Sequence, residues 1–84
     1  MANLTDLPNI GPVLAENLRK SGIETPEQLR EAGAETAFLQ IRTAVDSTAC
    51  LHMLEALAGA AEGVHKRELP PERKAELKAF FKGL

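Results

Sequence analysis

Eighty-four residues, 44% hydrophobic and 26% charged, make one globular domain, residues 1–84, with a thin core. A formal net charge of −2 argues against a nonspecific nucleic-acid coat, which carries a strong basic excess. The single cysteine, Cys50, excludes an intrachain disulfide framework and fits a reducing compartment, and no apolar run approaches the ~18 residues of a membrane span.

No segment alternates apolar and polar residues for long, and every apolar pattern has spacings of three and four. The expected fold is therefore all-α, with five main helices and a short leading turn. Three Phe and no Trp or Tyr point to an aliphatic, alanine-rich core. The leading turn falls around residues 5–7. A second element runs from Pro12, which suits a first helical position, to residue 21, with Gly22 as its stop and Ile10, Leu14 and Leu18 as its inner stripe. Thr25-Pro26-Glu27-Gln28 reads as a capping box opening a short helix that ends near Gly33. The next helix carries Ala34, Phe38, Ile41 and Val45 inward, and Asp46 and Ser47 are expected to cap its successor. That successor, residues 48–62, is apolar nearly all round. Its one polar line is His52, Glu55, Gly59 and Glu62, so it is predicted to be the central helix. The last helix starts at Pro71, with Leu77, Phe80, Phe81 and Leu84 on its core face.

Between the leading turn and the second element lies Leu7-Pro8-Asn9-Ile10-Gly11-Pro12, turn chemistry set in helical surroundings. Together with Gly22-Ile23 and Thr25-Pro26-Glu27-Gln28-Leu29 it resembles the helix-hairpin-helix (SAM-like) pattern of many DNA-associated proteins. The stretches Leu51-His52-Met53-Leu54-Glu55-Ala56-Leu57 and 63–74, which contains Leu69-Pro70-Pro71-Glu72-Arg73-Lys74, narrow this. They resemble the C-terminal domain of the TfoX/Sxy family of bacterial competence regulators. The resemblance implies a compact helical domain and a noncatalytic role in regulating DNA-uptake (transformation) genes. Longer family members place a separate domain ahead of this one, which is expected to be absent here.

The hairpin is a candidate contact through Asn9, Ile10, Gly11 and Val13. A turn feeding a helix N-terminus aims amide N–H groups at one point and suits an anion. Nucleic-acid-binding hairpins of this class usually show Gly-apolar-Gly with a Lys soon after. Here Asn9 replaces the first Gly, Val13 stands near the usual basic position, and Asp6 and Glu16 lie nearby. The Asn9 side chain is expected to crowd any approaching phosphate, and Pro12 removes one donor. A structural hairpin is therefore favoured over a DNA contact. The second candidate surface is basic. Lys74, Lys78 and Lys82 recur every four residues, with Lys66 and Arg67 just before them, a ridge that could meet an acidic partner or a phosphate backbone. Glu72 and Glu76 dilute its field, so a solvated helix face is favoured over a contact.

Catalytic chemistry has little support. Cys50 and His52 are two residues apart, about 200° around a helix, so they cannot pair as nucleophile and base. Cys50 is expected in the core. His52 with Glu55 falls short of a metal site, and no phosphate-binding loop or paired-cysteine motif is present. The expected function is a cytoplasmic regulatory or adaptor module, without enzyme activity, cofactor, metal or membrane association, acting on a protein partner such as the transcription machinery. A direct, sequence-nonspecific DNA binder is the alternative, and a homodimer is a third.

Overall fold

The computed structural model describes residues 3–84. All regular structure among them is helical: a 3-10 turn at Leu4–Asp6, α1 Pro12–Lys20, α2 Pro26–Ala32, α3 Ala34–Ala44, α4 Leu51–Glu62, a second 3-10 turn at Lys66–Glu68, and α5 Pro71–Lys82. Three of the five helices begin on proline, whose fixed φ and missing N–H cost nothing there.

Local signals explain most boundaries. The Thr25 hydroxyl accepts the Gln28 N–H at 3.1 Å, as a cap should. The Gln28 side chain, however, reaches past Thr25 and accepts the Glu24 N–H, so the reciprocal half of the box is shifted by one residue. One residue, Gly33, closes α2 and opens α3 with φ 84°, a conformation an L side chain rarely adopts. The predicted start of the central helix is corrected. Asp46 Oδ1 accepts both the N–H and the hydroxyl of Thr48, which makes a local turn rather than a helix cap. The helix therefore begins three residues late, at Leu51, with Cys50 as N-cap.

That position also corrects the expectation for Cys50. Its thiol is exposed, because an N-cap residue sits at the protein–water boundary rather than among core helices. Leu84 is corrected as well: α5 ends at Lys82, and Leu84 beyond it lies in solvent.

The helices close around Phe38, with Leu18, Leu29, Ile41, Leu54, Leu57 and Leu77 fully buried beside it. As the apolar pattern predicted, α4 is central; it packs on α2, α3, α5 and the second 3-10 turn. Buried Ala37, Ala58 and Ala60 replace large side chains at the contacts, which lets helix axes approach closely. The Phe81 ring meets Phe38 edge-on at 6.0 Å, and with Leu77 it holds α5 to the core. No described helix is long and apolar enough to cross a membrane.

Candidate functional site: the hairpin and the basic flank

The hairpin is a tight turn. The Ile10 N–H donates to the Leu7 carbonyl, with Pro8 and Asn9 at the two central positions. Pro suits the first of these. The second demands a left-handed backbone, and Asn9 supplies it with φ 69°, the single described non-glycine residue at positive φ. This agrees with the sequence reading of Asn9 as a glycine substitute.

The side chain does something the sequence did not reveal. Asn9 Nδ2 donates to the carbonyls of Ala56 at 3.3 Å and Val64 at 3.1 Å, and Oδ1 accepts the Lys66 N–H at 3.1 Å. It therefore joins the first turn of the chain to the middle of α4 and the loop behind it, 47 to 57 residues away. The side chain points into the domain and does not crowd the outer face. Gly59 makes room for it: a Cβ there would stand 2.6 Å from Asn9 Nδ2 and 2.7 Å from the Val64 carbonyl oxygen. Gly59 is thus buried under the hairpin instead of lying on a wet line with His52 and Glu62.

The four hairpin residues divide accordingly. Asn9 and Ile10 face inward, Ile10 being buried. Gly11 and Val13 face outward, Val13 with 76% of its surface exposed. No side chain caps α1, and its first turn carries no basic group; Glu16, one turn on, is paired with Arg19 at 3.6 Å. Sequence distance hid one neighbour. The Asn9 bond places the Lys66 backbone against the turn, so the hairpin and the basic loop are contiguous.

The basic loop and the lysine ridge adjoin. Lys74 Nζ donates to the Arg67 carbonyl at 3.4 Å, which sets the 3-10 turn beside the start of the lysine ridge. At 100° per residue, Lys78 and Lys82 follow Lys74 within an arc of ~80°, whereas Glu72 and Glu76 lie ~160° and ~200° from Lys74, at least ~80° beyond the edge of that arc. The two glutamates therefore do not interrupt the ridge.

Arg73, on the acidic flank, is the residue that sequence reasoning missed. Its guanidinium grips Glu35 of α3 through two bonds of 2.7 and 2.9 Å, and its Nε lies 3.3 Å from Glu62 of α4. Glu76 completes the group at 3.5 Å. The bond from Arg73 holds the Glu35 carboxyl below its ordinary value of 4.5, and Glu35 in turn raises the Arg73 pKa further. Only the Glu76 partner was legible, as an i, i+3 neighbour; Glu35 is 38 positions away and carries no local signal.

The sequence matches a known family. The model of the TfoX C-terminal domain matches residues 1–81. The chain belongs to the TfoX C-terminal domain family. No curated protein matches it. Two crystal forms of Listeria monocytogenes proteins share the fold of this TfoX-type domain. One, triclinic, is an uncharacterized protein with 45% identity and a TM-score of 0.95, covering 98% of this chain and 92% of its own. The other, tetragonal, is a protein of unknown function with 44% identity and a TM-score of 0.93, covering 96% and 98%.

Proposed function

We propose that this domain is a cytoplasmic, noncatalytic regulatory or adaptor module of bacterial competence that acts through contacts with other proteins. Family membership supports the connection with competence. One observation carries the choice of protein contacts over a phosphate grip: the polar side chain of the hairpin is bonded three times within the domain. The hairpin is a structural corner. What it offers outward is Val13, an apolar side chain beside an ion-paired Glu16, and phosphate recognition has no use for that pair.

The test is fluorescence anisotropy with labelled duplex and single-stranded DNA at low salt, run beside affinity capture from bacterial lysate with and without nuclease. Protein capture should survive nuclease, and Gly11→Val should leave it unchanged. Micromolar, salt-sensitive DNA binding that Gly11→Val weakens would overturn the proposal in favour of direct DNA binding by the hairpin.

A further inference from the structure

Five cations of the C-terminal third enter no ion pair among the described residues. Among the described residues, the ion pairs are Arg19 with Glu16, His52 with Glu55, and Arg73 with Glu35, Glu62 and Glu76. Lys66, Arg67, Lys74, Lys78 and Lys82 enter none of them. The segregation has a cause in the fold. Arg73 draws Glu62 and Glu76 towards itself on one side of α5, and helical geometry keeps the lysines on the other.

The ridge has a defined pitch. Lysines four residues apart on a helix stand ~6 Å apart along its axis, so the three span ~12 Å. A second helix with carboxylates at i, i+4 and i+8 repeats at the same ~6 Å. At the usual shallow crossing of ~20°, it stays in register over that length. Exposed Ala75 and Ala79 border the ridge and leave space for such a helix to lie close.

We infer that the flank formed by Lys66, Arg67, Lys74, Lys78 and Lys82 docks an acidic helical segment of a partner protein. This deepens the adaptor reading and rests on it. Duplex DNA fits the same flank less well. The ridge is one lysine wide, while a specific duplex site takes about 6–10 phosphate contacts. Residues 1–46 hold four basic and seven acidic side chains, which repel a long polyanion. A short acidic helix touches only the flank, and at physiological salt the field of the remainder is screened beyond ~8 Å.

The experiment is an NMR titration of the 15N-labelled domain at 20 mM salt. The probes are an alanine-based helical peptide with Glu at i, i+4 and i+8, the same peptide with Gln, and a short DNA duplex. The Glu peptide should shift the amides of residues 66–67 and 74–82 and bind about tenfold more tightly than the Gln peptide, as three surface ion pairs allow. Lys78→Glu should weaken it about fivefold, and the further change Lys82→Glu should abolish it, with an unchanged thermal melt for both exposed substitutions.

Equal shifts from the Glu and Gln peptides would overturn the inference. So would shifts gathered at Thr36, Leu39 and Thr43, the exposed face of α3, or a concentration-dependent doubling of mass that Lys78→Glu removes, which would make the occupant a second copy. Tighter binding of the duplex on the same flank would overturn it together with the protein-contact reading. Failure of the peptide alone leaves nuclease-resistant capture in force, so the two failures are distinguishable.

Discussion

Gly59→Ala is a sensitive probe of how this domain is held together. In an ordinary helix interior the change stabilises by ~1 kcal/mol, because glycine loses more backbone entropy than alanine. Here the added Cβ would meet Asn9 Nδ2 at 2.6 Å, the Val64 carbonyl oxygen at 2.7 Å and the Lys66 nitrogen at 3.2 Å. Two of these atoms are backbone, so they cannot swing aside as a flexible side-chain end can. Overpacking of this kind costs about 1–3 kcal/mol. Displacing Asn9 weakens up to three hydrogen bonds, each contributing about 1 kcal/mol net. Set against the propensity gain, the expected loss is ~2–4 kcal/mol. That is a large share of the ~4–13 kcal/mol available to a domain of this size. The Tm should fall by ~10–25 °C, measured by circular dichroism and checked by urea unfolding with an unchanged slope. A second mutation sharpens the reading. Asn9→Gly keeps the positive φ and removes Nδ2, so Gly59→Ala should cost at least ~1 kcal/mol less in that background. An unchanged or raised Tm for Gly59→Ala, or strict additivity of the pair, would refute Asn9 as the element Gly59 accommodates.

Asn9→Asp should be more damaging than Asn9→Gly in the same melts. It replaces the donor facing two carbonyls with an oxygen, whereas glycine only deletes the bonds; equal Tm values would contradict the assigned partners. Glu35→Gln should lower stability by ~1–2 kcal/mol at pH 7, since the Arg73 fork is bidentate and only partly exposed. Glu35 has a depressed pKa in the folded state, so its contribution is present above the ordinary carboxylate value and is lost as pH falls through the depressed one. The difference between wild type and Glu35→Gln should therefore narrow from below about pH 4.5 downwards; a gap constant to pH 3 would disprove the coupling. Cys50 should react stoichiometrically with a thiol reagent in the native state without loss of helicity, and labelling only in denaturant would return it to the core.

Much of the architecture was legible in residue spacing. Periods of three and four gave the helices, proline and glycine marked most of their ends, and the nearly all-apolar run at 48–62 identified the central helix. These features are set by chain neighbours, through steric limits on φ and through one face of a helix seeking the core. The helix start misplaced at Thr48 came from a choice between two local uses of Asp46, turn or cap, and the shift to Leu51 left Cys50 at the N-cap.

The hairpin itself illustrates the division. The sequence by itself determined that residues 7–12 turn, and that Asn9 occupies the position needing a left-handed backbone. Tertiary structure alone decided where that side chain goes: into a notch over Gly59, bonded to Ala56, Val64 and Lys66. The same holds for Arg73, whose partner Glu35 lies on another helix. The physical reason is common to both. Hydrogen bonds and ion pairs between residues 38 to 57 positions apart leave no periodic trace, because their geometry exists only once the helices have packed.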